Sequence, residues 1–500
     1  MKCAAQRGLV GSSIWTKGFR AGAGSTLALA LLVAAPSCQD GTSQGQTDGG
    51  ARDMAVPPGS DLASSGAVAL TGILPSSGPA VGGNTVTING TGFTSGVTVT
   101  FGATPATNVQ ILSANQLTAV VPTSGGVLGP VAVTVKNLDG TSASRGDLYS
   151  YNRIQLSFMP FLSAPVGTKP VVLAATDLNG DGFAEIVTAN QASNNVSVIA
   201  YNQAWKNGVA YPAATTPTSL VVADFNGNGR PDVAVACSNA TDSDIAVLAD
   251  NGGVGFMAPV TVKVAMNVVG LDARDLNGDS KIDLVAAARS TSQAYVLLNT
   301  TVAMAPMFTA GMSYALGTQP SALLLNDLDG DGKADVVATN FGAGSVIVLP
   351  GVGGGVFSGS KTIPITTQPI ALSLADLNKD GKLDAVTASY DSKQISVLLG
   401  KGDGTFTSIK NMPVGIRPMG VAIADVDSDG KLDVITANSG DDNVIIYLGK
   451  GDGSFEPLQA FTVGSQPAAV IVTDLNKDGK PDIATANFNG NDVSILYNQN

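Results

Sequence analysis

This sequence predicts an all-β protein, a small β-sandwich followed by a seven-bladed β-propeller. Three observations carry that prediction. One acidic nine-residue segment recurs seven times, from Asp177, Asp224, Asp275, Asp327, Asp376, Asp425 and Asp474, at spacings of 47, 51, 52, 49, 49 and 49 residues. A period of about 50 belongs to a propeller or solenoid and not to a set of independent domains. Short runs of alternating apolar and polar residues, bounded by Gly, Pro and Ser, fill the rest, as half-buried strands do. The 500 residues include 60 Gly and 25 Pro, with 44% hydrophobic and 13% charged residues. That composition suits many turns between short strands, and excludes both collagen and a disordered chain.

In chain order, residues 1–37 read as a signal peptide. Lys2, Arg7, Lys17 and Arg20 precede the apolar stretch Thr26–Pro36, which is too short to span a bilayer but of signal-peptide length. The small residues before Cys38 resemble a bacterial lipoprotein cleavage site, in which the cysteine becomes the lipidated N-terminus; plain secretion is the alternative. The resemblance implies an exported protein of the cell envelope or outer surface, held to a membrane only through Cys38. Residues 38–67 are rich in Gly, Ser, Asp and Pro with no apolar period, a flexible tether. Cys3, Cys38 and Cys237 make no disulfide framework, and Cys237 reads as a small buried hydrophobe.

Charge and composition exclude several functions. With 39 acids, 27 bases and a formal charge of −12, the chain is a poor partner for nucleic acid or an anionic membrane. Cleavage before Cys38 leaves 23 bases and a charge of −16. There is no histidine, so neither Ser-His-Asp nor Cys-His catalysis, nor an imidazole metal site, is available. Any metal must be held by oxygen.

Residues 68–152 carry the runs Thr85–Asn89, Val97–Phe101 and Val131–Val135, the pattern of a small antiparallel sandwich. Ile73–Phe93 (ILPSSGPAVGGNTVTINGTGF), the following VTVTFG and Leu117–Pro122 (LTAVVP) resemble an IPT/TIG immunoglobulin-like domain. The resemblance implies a spacer or protein-contact module without chemistry of its own. Arg145-Gly146-Asp147, a tripeptide that integrin receptors can recognise, falls inside it; a Gly-rich chain produces such triplets by chance.

From 153 to 500 the nonapeptides dominate. Position 1 is the Asp at each start. Position 3 is Asn179, Asn226, Asn277, Asp329, Asn378, Asp427 or Asn476, and position 5 is Asp181, Asn228, Asp279, Asp331, Asp380, Asp429 or Asp478. Position 9 is Glu185, Asp232, Asp283, Asp335, Asp384, Asp433 or Asp482. Alternate residues of a tight loop can turn oxygens inward, Gly at position 6 permits the turn, position 7 can add its carbonyl, and a later acid closes the shell. Ca²⁺ takes six to eight such oxygens, so up to seven ions are expected, one per loop. The loops hold 22 of the 39 acids, which repel at close range without a cation. Asp-Gly turns form readily without metal; seven in phase are harder to dismiss. The second copy has only Asp224 and Asp232 as acids, and the third has Ser280 at position 6; these two are expected to bind most weakly.

These are not EF-hands, which need flanking helices and a Glu at position 12. Ile370–Ala375, Asp384–Ala388, Gln394–Leu399 and Phe406–Val414 read as four strands, one propeller blade. The loops and the turns Gly402–Phe406 and Gly451–Phe455 resemble the FG-GAP/VCBS repeats of integrin-α-like propellers. The last blade, ending at Asp492–Tyr497, is a strand short, and Ile154–Val166 is expected to complete it and remove an open edge.

The resemblance implies recognition or adhesion, with structural Ca²⁺ and an extracellular protein or carbohydrate ligand. It also implies metal loops on one face and ligand-contact loops on the other, the latter including Phe341, Tyr390, Phe488 and Arg417. Aromatics there suit stacking on sugars, though they can equally cap a blade. Two other readings stand beside this one. One is an architectural envelope or matrix protein. The other is a polysaccharide-degrading enzyme using paired carboxylates, although nearly every acid pair belongs to a loop. The expected protein is not an enzyme.

Overall fold

A computed structural model describes residues 67–500, apart from 81, 126, 128, 153–155, 202–204, 206, 239–242, 265–266 and 303–304. The expected signal peptide, Cys38 and the tether up to residue 66 lie outside the described residues. The described residues are all strand, turn and loop.

Two facing sheets form the sandwich. One orders Ala69–Leu74, Thr85–Thr91, Gln116–Val120 and Thr107–Ser113; the other orders Ser77–Pro79, Ser142–Asn152, Gly129–Lys136, Thr98–Phe101 and Thr104–Pro105. Alternation explains the burial: in Thr85–Thr91 the residues Val86, Ile88 and Gly90 point inward while their neighbours do not. Val86, Ile88, Leu117, Ala119, Val133 and Val135 are fully buried. Burying such a Val or Leu contributes about 1.5–3 kcal/mol each. One pairing departs from the antiparallel expectation, since Ser77–Pro79 runs parallel to Ser150–Asn152. Arg145 and Asp147 lie within a strand and ion-pair with each other, so the tripeptide is not presented in a turn.

Seven four-stranded antiparallel sheets follow between Leu162 and Leu496. The fifth comprises Pro369–Ala375, Asp384–Ser389, Gln394–Gly400 and Phe406–Pro413. The first strand of each sheet lies against the first strands of its neighbours, and Pro170–Thr176 contacts both Pro217–Ala223 and Pro467–Thr473. The series therefore closes into a ring with first strands innermost. Second strands are sandwiched between sheets: Asp335–Asn340 and Asp433–Asn438 are buried at every residue. Small and β-branched residues (Ala, Val, Ile, Thr) dominate there because both faces are packed.

The closing strand forms. Leu162–Pro165 pairs antiparallel with Asp492–Ile495, from Leu162↔Ile495 to Pro165↔Asp492. Met159 N–H donates to the Tyr497 carbonyl at 2.9 Å, and Gln499 N–H to the Ser157 carbonyl at 2.8 Å. Trp205 Nε1 donates to the Tyr497 hydroxyl at 2.8 Å across the same seam.

The end of the ring opposite the acidic loops is shaped by one repeated device. Lys169, Thr216, Asn267, Gln319, Gln368, Arg417 and Gln466, each just before an inner strand, all have φ between 53° and 61°. Six precede a proline that opens the strand, where a missing N–H costs no ladder bond. Each of the seven carbonyls accepts the N–H of the residue at or just beyond the end of the second strand, for example Phe341 N–H to Gln319 at 2.9 Å and Phe488 N–H to Gln466 at 2.8 Å. Left-handed backbone is costly for such residues, and this paired hydrogen bond holds it.

Candidate metal centre

Every acidic nonapeptide joins an innermost strand to the second strand of its sheet, as in Asp327–Asp335 between Pro320–Asn326 and Asp335–Asn340. All seven therefore gather at one end of the ring, and the fold places the predicted positions consistently.

Position 1 organises the turn. Asp177 accepts the N–H groups of Gly180 and Gly182, both at 2.7 Å, and Asp327 those of Gly330 and Gly332 at 2.7 and 2.9 Å. The position 6 N–H reaches the position 1 carboxylate in every copy: Asp224 at 2.7 Å, Asp275 at 2.9 Å, Asp376 and Asp425 at 2.8 Å, Asp474 at 2.9 Å. Positions 3 and 5 turn inward through the next backbone groups. Asn179 Oδ1 accepts from Asp181 N–H and Asp181 Oδ1 from Phe183 N–H, both at 2.7 Å. The same pair of bonds recurs at Asn277 and Asp279, at Asp329 and Asp331, and at Asn378 and Asp380.

Position 9 has a second duty that spacing does not reveal. Its carboxylate is buried, and in six of the seven copies its two oxygens take backbone N–H groups from separate places, one at position 2 of the loop and one at or past the end of the third strand. Asp335 accepts from Leu328 at 2.9 Å and from Gly351, at the end of the third strand, at 2.7 Å. Asp384 likewise holds Leu377 and Gly400, Asp433 holds Val426 and Gly449, and Asp482 holds Leu475 and Asn498. Asp232 holds Phe225 and Asp250, Asp283 holds Leu276 and Asn299, and Glu185 holds Leu178.

Burial pushes Glu185 and Asp232 up to about 7 and Asp384 and Asp482 to about 6, with the negative charge of positions 1 and 5 or of Asp250 adding to it. Asp433 is raised well above the usual carboxylate range, by burial and then by Asp427. In the fourth and sixth loops, oxygens of Asp327, Asp329 and Asp335, and of Asp425, Asp427 and Asp433, lie within 4.8 Å of one another. The donors are all hard oxygens, drawn together at a cost a cation would offset. They fit a hard divalent ion such as Ca²⁺.

The second loop differs. Asn228 Nδ2 donates to Asp250, and the Arg230 guanidinium lies 3.6 Å from the same buried carboxylate. Arg230 also donates to the Asn179 carbonyl of the first loop at 3.5 Å. Arg230, at position 7 of this loop, thus pairs with an acid outside positions 1, 3, 5 and 9. In the third loop Ser280 takes up φ 67° and still bonds Asp275, so its defect is backbone strain and not a lost turn.

Two contributors are absent from the sequence reading. Position 4 is left-handed in every copy: Gly180, Gly227, Gly278 and Gly330, but also Lys379, Ser428 and Lys477. The available signal was glycine in four of seven copies. Asn299 and Asn498 are the other contributors. Besides meeting position 9, their amides donate to the carbonyls of Phe225 and Val426 in neighbouring loops, at 2.9 and 2.7 Å.

Comparison with known proteins agrees with this geometry. A model of the FG-GAP-like repeat matches residues 177–235, 224–286, 327–387, 376–436 and 425–485. Each match starts at a position 1 aspartate and spans two loops, so together they include all seven. The IPT/TIG domain model matches residues 69–151. No curated protein matches. Among solved structures, the crystal structure of BBS1N in complex with ARL6DN, soaked with lead, is 13% identical at a TM-score of 0.49, over 68% of this chain and 96% of that one. An auxiliary nutrient binding protein from Bacteroides thetaiotaomicron is 11% identical at a TM-score of 0.44, over 87% and 98%. The repeat matches cover more than half of the sequence: the chain belongs to the FG-GAP-like repeat family and carries an IPT/TIG domain ahead of its repeats.

Proposed function

We propose that this protein is an exported, non-enzymatic recognition module, a seven-bladed propeller whose acidic loops bind Ca²⁺ as a structural stiffener. The observation that carries the reading is the position 9 carboxylate, which in all seven copies is buried among other acids and held above its ordinary range. Such charge is unfavourable unless a cation offsets it. The residues that would hold the ion are those at positions 1, 3, 5 and 9, with the fourth and sixth loops the richest in carboxylate. Bound Ca²⁺ would supply neutralising charge and tie the first and second strands of each sheet, with no reaction to perform. Export, and lipid anchoring at Cys38, rest on the N-terminal segment alone, and the ligand is an extracellular protein or carbohydrate.

Thermal unfolding with Ca²⁺ and with chelator tests the reading. A ligand bound only by the folded state stabilises it by about 2.7 kcal/mol at a hundredfold excess over Kd, so several sites together should raise Tm by many degrees. An unchanged Tm overturns the structural role of calcium.

A further inference from the structure

At the end of the ring opposite the acidic loops, the inner strands enclose a cavity of 570 Å³, within the range of small-ligand sites. Its walls mix aliphatic and polar side chains, and Phe341, Tyr390 and Phe488 stand among them. The lining includes one charged residue, Arg289, and no acid. Arg289 is half-buried. Its Nε donates to the Pro320 carbonyl at 3.1 Å and its guanidinium lies 5.8 Å from the Phe341 ring centroid. Among the described residues no carboxylate pairs with it. A partly desolvated guanidinium without a counter-charge is unfavourable by itself and suited to an incoming anion.

Two more cations are held near the mouth in the same manner. Lys169 sits 5.1 Å over the Phe488 ring and Arg417 5.6 Å over that of Tyr390. Each of the three aromatic rings thus carries a basic partner from a different part of the ring of sheets. Chain charge is distributed unevenly, with 22 of 39 acids in the loops at the far end. Asp391, Asp441 and Asp442 also stand at this end, in the exposed turns between second and third strands, but outside the lining, so the charge a ligand meets inside the cavity is that of Arg289. Between the aromatics stand Gln191, Ser219, Ser439 and Gln466, whose side chains make no hydrogen bond among the described residues.

We infer that this cavity binds an acidic saccharide: its carboxylate or sulfate meets Arg289, its ring packs against Phe341, Tyr390 or Phe488, and its hydroxyls meet the neutral amides and hydroxyls. Four neutral hydrogen-bonding side chains among aromatics suit a polyhydroxylated ring better than an acidic peptide, whose repeated charges would meet a single guanidinium inside the cavity. The inference rests on the recognition reading above and names its ligand class.

Titration calorimetry of the full chain in calcium buffer tests it. The probes are an oligogalacturonate, its neutral methyl ester, a sulfated oligosaccharide and an oligoglutamate peptide. One of the two acidic saccharides should bind and the methyl ester should bind about tenfold or more weakly, as loss of a charge-assisted contact implies; carboxylate and sulfate sources are told apart by which binds. Arg289→Gln should reduce affinity about tenfold or more and Arg417→Gln by less. Should Arg289→Gln fail to fold, hydrogen exchange on the wild type replaces it, with protection expected around Phe341 and Tyr390 on saccharide binding. No acidic saccharide binding, binding indifferent to Arg289→Gln, absent protection, or equal binding of the peptide each overturns the proposal. The calcium-dependent Tm shift, read on the same sample, separates the two failures: a normal shift without saccharide binding sinks this site alone, and a missing shift sinks the calcium-stiffened module.

Discussion

At the residue scale, position 9 of each loop carries the greatest structural consequence. Replacing Asp335 by Ala leaves the N–H groups of Leu328 and Gly351 without their acceptor, and a buried unsatisfied donor costs about 1–3 kcal/mol. Asp335→Ala should therefore destabilise by about 2–5 kcal/mol in denaturant titrations even in chelator. Asp331→Ala, at an exposed position 5 that accepts only from Lys333, should change chelated stability little and lower calcium affinity instead. Ser280 offers the opposite change. Its φ of 67° stands where the other copies have Gly, and Ser280→Gly should stabilise by about 0.5–1 kcal/mol, read as a higher denaturant midpoint.

The acids also set a pH response. Glu185, Asp232, Asp384 and Asp482 titrate at about 6 to 7 when folded, above ordinary values of 4.5 for Glu and 3.8 for Asp. The folded state then holds more protons than the unfolded state between about pH 4 and 7, and stability falls as pH rises through that window. Exposed Asp331, Asp403 and Asp452, lowered by hydrogen bonds from Lys333, Thr405 and Ser454, act in the other sense. The buried group dominates because solvent screens the exposed one. In chelator, Tm should be higher at pH 5 than at pH 7.5, and calcium should narrow or reverse that gap; a chelated protein steadier at pH 7.5 contradicts the argument.

At the element scale, the loops form a hierarchy. The fourth and sixth bring three carboxylates within 4.8 Å, while the second has Arg230 beside Asp250. Calcium titration followed by residue-resolved exchange should show the loops at Asp327 and Asp425 protected first and that at Asp224 last; equal filling would refute this order. Much of this was legible in the sequence, because a nonapeptide's function is local: side chains at 1, 3, 5 and 9 can only converge if the chain turns between them. The strands Ile370–Ala375 and Asp384–Ala388 were legible for a similar reason, through a burial period confined to one segment. The partners of position 9 were not. Gly351 lies 16 residues beyond Asp335 across two strands, and nothing about a glycine there advertises an N–H donor. Nor did spacing reveal that Arg289 and Phe341, from adjacent repeats, would meet. Opposite-end residues Phe341, Tyr390, Phe488 and Arg417 were recognisable as a set only through their place in the repeat; their pairing with cations is tertiary.

At the scale of the whole molecule, the ring depends on a strand borrowed from before its first repeat. Leu162–Pro165 covers the edge of Asp492–Leu496, an edge that would otherwise invite pairing with another chain. A chain begun at Pro170 should melt at lower temperature and self-associate as concentration rises, measured by light scattering; a monomer of unchanged Tm would show the seam to be dispensable.

That seam has a mechanical consequence. The polypeptide leaving Leu162 toward the sandwich is also the stave that fastens the hoop, so tension applied through the N-terminal side arrives at the backbone bonds of Ser157 and Met159 and then at four residue pairs before it reaches any other sheet. The first event under load should be detachment of this short latch, an early, small extension in a pulling experiment, with the remaining sheets giving way afterwards.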